Sequence, residues 1–157
     1  MVYLDINSGY LEIYIGPMYA GKTNKLLNIY RKLSLCNIKV LLINHILDNR
    51  YSSDSELISH DKSSQKCILI DSLYKNIDIN SELFKNTDAF IINEAQFYPD
   101  IYNWVKLVIN SPHNKHVYIS GLDLDYKLNT FGNWLNLLPY SDKVEKLTSI
   151  CSKCKKK

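Results

Sequence analysis

The sequence has 157 residues, of which 46% are hydrophobic and 22% are charged, and its formal net charge is +3. A chain of this length can bury about 70% of the surface that its unfolded form exposes, which is enough for one domain without disulfides. There is no signal-peptide pattern at the start, and the apolar runs fall short of a membrane span of ~18 residues, so a cytoplasmic protein is predicted. The basic segment 153–157 is interpreted as a solvated tail, with nucleic-acid contact as the less favoured alternative.

Strand and helix signals alternate along the chain. Residues 10–16 predict a strand that leads into a glycine-containing loop, and residues 22–33 have the apolar spacing of a helix. Residues 38–45 predict a strand that is buried on both faces. Further strands are predicted at 66–70, 89–93 and 116–120, a helix at 100–110, and a long polar loop at 48–64. This alternation favours a parallel α/β sheet.

Residues 16–23, GPMYAGKT, match the pattern GxxxxGK[ST] between the first predicted strand and helix. Glycines let backbone N–H groups approach phosphate oxygens, and the helix N-terminus adds favourable partial charge. Lys22 is expected to neutralise the outer phosphates and Thr23 to hold Mg²⁺, so ATP or GTP with magnesium is predicted. The predicted cofactor-binding residues are Gly16, Pro17, Met18, Tyr19, Ala20, Gly21, Lys22 and Thr23.

A nucleotide site of this kind also needs an acidic group at the end of a second strand. The segment AFIINEAQF, residues 89–97, is the apolar strand pattern that ends in a carboxylate, that of Glu94, and the neutral Asn93 precedes it. Glu94 is therefore predicted to take a proton from an acceptor hydroxyl. The alternative, a solvated carboxylate at a strand end, is less favoured because the phosphate-binding motif is present.

Five segments stand out within residues 10–154: GPMYAGKT, DNRYSSD, SHD, INEAQFYPDI and SGLDLDYKLNTFGNWLNLLPYSDKVEKLTSICSKC. In this order and at matching separations, they resemble the type II thymidine kinases. The resemblance implies a P-loop NTPase-like parallel sheet flanked by helices in residues 1–140. It also implies the remnant of a small zinc subdomain in residues 141–157. The implied reaction moves the γ-phosphate of ATP to the 5′-hydroxyl of thymidine, giving thymidine monophosphate. A homodimer or homotetramer is implied as well.

The same resemblance assigns roles to individual residues. It makes Lys22, Glu94 and Arg50 the catalytic residues, with Glu94 as general base and the Arg50 guanidinium stabilising charge on the transferred phosphoryl group. The substrate-binding residues that it implies are Met18, Asp48, Phe97, Leu122, Tyr126 and Phe131. As isolated residues, the apolar members of this set would more often belong to a core.

The chain departs from the family pattern in two places. Asn93 stands where the family has a magnesium-holding Asp, so Thr23 and Asn93 are the predicted magnesium residues and weakened magnesium binding is expected. Cys151 and Cys154 match only the first half of a four-cysteine zinc site, so free thiols are the favoured interpretation and an incomplete zinc site is the alternative. The loop that closes over the base in the family lies between its two cysteine pairs, and the sequence lacks that segment.

Two other functions remain open from the sequence. A catalytically impaired homologue could bind ATP and act as an interaction or regulatory protein, a reading motivated by Asn93 and the missing closing loop. A general P-loop ATPase could touch nucleic acid through its basic tail. The segments DNRYSSD and GLDLDY argue against a general ATPase, because they have no role there.

Overall fold

The computed structural model describes residues 7–48, 56–59 and 63–156. Its centre is a six-stranded sheet whose strands all run parallel. In spatial order the strands are β5 (Ile68–Ile70), β2 (Val40–His45), β6 (Ala89–Ile92), β7 (His116–Gly121), β1 (Tyr10–Ile15) and β8 (Lys143–Lys146). A separate antiparallel pair is formed by β3 (Glu56–Ile58) and β4 (Ser64–Lys66).

Helices cover the sheet. They are α1 (Lys22–Leu35), α2 (Leu73–Asn76), α3 (Glu82–Lys85) and α4 (Ile101–Ile109), with 3-10 helices at Ala95–Phe97 and Trp134–Tyr140. This arrangement confirms the predicted parallel α/β fold. None of the helices in the described ranges is long and apolar enough to cross a membrane.

The strands β3 and β8 differ from what was predicted for their segments. The loop predicted over 48–64 is wrong at β3, where the chain forms a strand. Three residues are too few to show the alternating apolar pattern of a strand. Leu57 of this strand is nevertheless buried in the core, at 1% exposure. The edge strand β8 was not predicted, since its sequence KVEK is polar and largely exposed. β8 follows the predicted division at residue 140 and pairs with β1 of the main sheet.

The core forms two layers because successive strand residues point to opposite faces of the sheet. On one face, Leu11 and Ile13 pack in a cluster that includes Trp104 of α4 and Trp134. On the other face, Tyr14 packs in a cluster with residues of α1 such as Leu26, Leu27 and Leu33. Burial on both faces holds the parallel strands in one register, so their carboxyl ends meet along one edge.

A buried carboxylate ties the edge strand β8 to the sheet. Glu12 is 6% exposed and accepts hydrogen bonds from the hydroxyls of Tyr10, at 3.0 Å, and Tyr14. The Lys143 ammonium lies 2.6 Å from the same carboxylate. Burial by itself would raise the pKa of Glu12, but the hydrogen bonds from Lys143, Tyr14 and Tyr10 hold that pKa below its usual value.

We expect Glu12→Gln to lower the free energy of unfolding at pH 7 by about 2 kcal/mol, because hydrogen bonds to a buried charged acceptor are lost. The folded-state pKa of Glu12 is depressed below the ordinary value of 4.5, so its stabilisation is present above that pH. It is lost as the pH falls through the folded-state pKa. Urea unfolding at a series of pH values should therefore show the difference between wild type and variant shrinking below about pH 4.5.

The matched control is Glu82→Gln, since the Glu82 side chain is 83% exposed and lies 3.6 Å from Lys85. Its substitution should change the free energy of unfolding by less than about 0.5 kcal/mol. Equal losses for the two variants, or a loss at Glu12 that does not vary with pH, would contradict the assignment.

Candidate active site

The loop between β1 and α1 needs its two glycines for different physical reasons. Gly21 has a φ of +83°, a left-handed conformation that glycine adopts without strain, and it precedes the first residue of α1. Gly16 is needed for space, because a Cβ there would lie 2.6 Å from the backbone oxygen of Leu147. As Gly21 has no side chain to cap the helix, the first-turn N–H groups of α1 can face an anion.

Lys22 is held against this loop by the loop itself. Its side chain is almost buried, and its ammonium donates to the carbonyl oxygens of Gly16, at 2.9 Å, and Pro17, at 2.7 Å. A buried ammonium requires such partners, because its desolvation is costly. The positive charge is therefore fixed beside the loop.

A cavity of about 420 Å³ opens beside the loop. Segments from five parts of the chain form its wall: the loop with the start of α1, the residues after β2, the β3 strand, the residues after β6, and the residue after β7. The lining residues are Met18, Tyr19, Ala20, Gly21, Lys22, Thr23, Asn24, Leu47, Asp48, Ile58, Glu94, Gln96, Phe97 and Leu122. Cationic, carboxylate and apolar groups thus share one space.

Several residues predicted for the site lie elsewhere. Gly16 and Pro17 do not line the cavity, and their carbonyl oxygens accept hydrogen bonds from Lys22. Phe131 is also outside the lining and packs edge-to-face on Phe97 with ring centroids 5.5 Å apart. Tyr126 is 89% exposed and does not line the cavity. Arg50 lies outside the described residues.

Glu94 follows β6 in a left-handed backbone conformation, with a φ of +54°, and is 7% exposed. A non-glycine residue in this conformation costs about 1 kcal/mol, so the surrounding contacts must hold it there. Gln96 supplies such a contact, because its side-chain N–H donates to the Glu94 carboxylate. The same side chain accepts from the backbone N–H of Leu122 at 3.0 Å.

Gln96 is a site residue that sequence reasoning missed. It is buried, and it joins the carboxylate after β6 to the segment after β7. Trp134 completes the arrangement by donating to the Leu122 carbonyl at 3.0 Å. A Cβ at Gly121 would lie 2.8 Å from both the Gln96 side-chain oxygen and the Trp134 ring, so a larger residue there would displace this packing. The available signal was a polar residue two positions after the predicted base.

Asn93 lies behind the cavity wall, at 1% exposure. Its side-chain oxygen accepts from the Ser120 hydroxyl at 2.9 Å, and its side-chain nitrogen donates to Asn44 at 3.1 Å. Both polar groups of the amide therefore have buried protein partners.

The cavity wall carries oxygen donors of the kind that Mg²⁺ prefers, namely the Thr23 hydroxyl and the carboxylates of Asp48 and Glu94. Within the described ranges, no group of three or more His, Cys, Asp or Glu side chains is arranged to hold a metal by itself. A magnesium ion here would thus depend on nucleotide phosphates for the rest of its ligands.

The cysteine pair near residue 150 lies in a tight turn. Cys151 and Cys154 are both free and exposed, and backbone bonds join Cys151 to Lys155 and Lys156 at 2.9 Å each. Hydrogen bonds from the backbone of Cys154 and of Lys153 hold the pKa of the Cys151 thiol below its usual value. The thiolate is the metal-binding form, so the turn favours a sulfur ligand, and it supplies two of the four that a structural zinc requires.

Known proteins are similar to this sequence over nearly its whole length. A family model described as thymidine kinase matches residues 9–157. A thymidine kinase of Choristoneura fumiferana entomopoxvirus is 35% identical over 147 residues, covering 92% of this chain and 77% of the relative. A thymidine kinase of Onion yellows phytoplasma is 38% identical over 153 residues, covering 97% and 71%. One of Monkeypox virus is 32% identical over 149 residues, covering 95% and 80%.

The matched range contains the phosphate-binding loop, Glu94 and the segment after β7. It therefore includes each segment that forms the cavity wall. These matches confirm the resemblance that the sequence motifs indicated, and the chain belongs to the thymidine kinase family.

Proposed function

We propose that this protein is a deoxynucleoside kinase that transfers the γ-phosphate of ATP to the 5′-hydroxyl of thymidine, giving thymidine monophosphate. The observation that carries the proposal is one cavity that joins a phosphate-binding loop to a buried carboxylate and to apolar side chains. A phosphoryl donor and a hydroxyl acceptor must meet in such a space, away from bulk water. Relatives that cover most of the chain are named thymidine kinases.

The donor half of the site is built from the loop and the start of α1. Backbone N–H groups and the helix N-terminus bind the phosphates of ATP, and Lys22 places its charge on the outer phosphates. Thr23 would hold Mg²⁺, whereas the Asp48 carboxylate on the cavity wall binds the nucleoside. When bound, the ion neutralises charge that develops on the transferred group.

The acceptor half is built from the segments after β6 and β7. Met18, Phe97 and Leu122 supply apolar surface for the thymine base, with Phe131 packed behind Phe97. Glu94 takes the proton of the 5′-hydroxyl as the oxygen attacks phosphorus. Gln96 holds the Glu94 carboxylate in position without taking its proton-accepting role.

Roles are also proposed for three further groups: Arg50, Tyr126 and the cysteine pair. Arg50 stabilises charge on the phosphoryl group, and Tyr126 belongs to the segment that contacts the nucleoside. The Cys151 and Cys154 thiolates would supply two ligands to a zinc ion, and two further ligands would have to come from elsewhere. The protein acts in the cytoplasm as a homodimer or homotetramer, and nucleic acid is not its partner.

Lys22→Met should lower kcat for thymidine phosphorylation by at least about 10²-fold, because a preorganised charge at the phosphates is removed. The measurement is the initial rate of thymidine monophosphate formation at saturating magnesium and ATP. Lys25→Met is the matched control: this residue lies on the same helix, and its ammonium pairs with Glu145 at 2.7 Å outside the cavity lining. A control that falls as far as Lys22→Met would show that helix disruption, and not lost charge, explains the result.

Glu94→Gln should lower kcat by about 10²–10⁴-fold while ATP binding is retained, because the amide cannot accept the hydroxyl proton. Rates are measured by thymidine monophosphate formation, and ATP binding by isothermal titration calorimetry. Glu145→Gln serves as the control, since that carboxylate lies outside the cavity lining. Full activity in Glu94→Gln would remove Glu94 from the role of general base.

The proposal as a whole is tested by following ADP and thymidine monophosphate in the same reaction, with and without thymidine. Equal amounts of the two products, formed only when thymidine is present, are expected. ADP without monophosphate would instead identify an uncoupled ATPase. ATP binding without turnover would identify a regulatory homologue.

A further inference from the structure

A row of buried polar side chains crosses the carboxyl edge of the sheet just behind the cavity. Ser120, Asn93 and Asn44 are 0%, 1% and 2% exposed, and they come from three neighbouring positions in the sheet: β7, the end of β6, and β2. The Ser120 hydroxyl donates to the Asn93 oxygen at 2.9 Å, and the Asn93 nitrogen donates to the Asn44 oxygen at 3.1 Å. The Asn44 nitrogen then donates to the Asp48 carboxylate at 3.0 Å.

The hydrogen bonds in this row all point the same way. Each of the two amides accepts from one neighbour and donates to the next, so the row ends with an N–H aimed at Asp48. Asp48 is the member of the row that lines the cavity. A carboxylate accepts only, whereas an amide both donates and accepts, so an amide at each of the two central positions continues the row where a carboxylate would interrupt it.

We propose that Asn44 and Asn93 are positioning residues that orient the Asp48 carboxylate toward the nucleoside. Asn93 then acts through this row of hydrogen bonds from Ser120 to Asp48, called the relay below, and not as a magnesium ligand. The inference rests on the proposed function to the extent that Asp48 binds the substrate. Buried amides require full pairing, and the polar groups of both Asn side chains are paired in the relay. A neutral relay also keeps a second negative charge away from Asp48.

The relay requires a hydrogen-bond donor at position 93. An aspartate there cannot donate to Asn44, so the Asn44 amide must turn its nitrogen toward the new carboxylate. That turn brings the Asn44 oxygen to face Asp48, and two oxygens without a proton between them repel each other. Asp48 thereby loses the hydrogen bond that Asn44 donates to it, and its carboxylate is turned from its position in the wild-type site.

Lysine at position 44 would correct this fault. Its ammonium carries three N–H donors and no acceptor, so it can serve a carboxylate at position 93 and Asp48 together. Its charge also offsets that of the added aspartate. The relay therefore predicts that Asn93→Asp is harmful alone and is rescued by Asn44→Lys.

The test measures kcat and KM for thymidine and for ATP, over a range of magnesium concentrations, in the 157-residue chain. We expect Asn93→Asp to lower kcat/KM for thymidine by about tenfold at every magnesium concentration, with KM for ATP unchanged within about twofold. The double variant Asn93→Asp/Asn44→Lys should return to within about threefold of wild type. A magnesium-ligand role predicts the opposite result, a gain in activity for Asn93→Asp at low magnesium.

An Asp48→Asn background separates positioning from general destabilisation. If the relay acts through Asp48, Asn93→Asp should cause little additional loss there, whereas a merely structural effect would add in full. Ser120→Ala is a milder variant that removes the first donor of the row. Its loss of kcat/KM for thymidine should depend on Asp48 in the same way, and it replaces Asn93→Asp in the experiment if Asn93→Asp does not fold. Losses that persist in the Asp48→Asn background, or a double variant no better than Asn93→Asp, would overturn the proposal. Absence of thymidine monophosphate from wild type would instead refute the proposed function.

Discussion

The parallel register of the central strands is the constraint on which the site depends. Because β1 pairs with β7, β7 with β6, and β6 with β2, the chain leaves all four strands along the same edge. This edge brings to one cavity four groups that are far apart in sequence: the phosphate-binding loop, Asp48, Glu94 and Leu122. Parallel strands need helices on both faces, so the two core layers around the sheet are also what keeps these groups at fixed positions.

Hydrogen bonds from polar groups then fix the orientation of the charged side chains at the ends of the strands. Lys22 is held by loop carbonyls, Glu94 by Gln96, and Asp48 by the row that starts at Ser120. The bonds that hold Lys22 to Gly16 and Glu94 to Gln96 are buried, so an unpaired partner there would cost more than one at the surface, and the bond from Asn44 to Asp48 is part-buried. The charged groups around the cavity are thereby oriented before substrate binds, which is the form of preorganisation that phosphoryl transfer uses.

Sequence reasoning succeeded where a local pattern is long or chemically restrictive. The apolar periods of α1 and α4 were visible, as were the strands β1, β2, β6 and β7. The phosphate-binding loop was visible because a close backbone approach and a positive φ at Gly21 leave little choice of residue. The strand β8 escaped because an exposed edge needs no apolar period, and β3 escaped because three residues are too few to show one.

The sequence by itself determined the fold class, the nucleotide loop and the identity of the candidate base, because these depend on periods and spacings within one segment. The tertiary structure decided which side chains share the cavity. It placed Gln96 between Glu94 and Leu122, left Tyr126 exposed, and joined Asn93 to Asp48 through Asn44. Residues 44 and 93 are distant in the chain, and their amides meet only because β2 and β6 are neighbours in the sheet. Pairing across strands is a property of the packed sheet, so no single segment of sequence carries it.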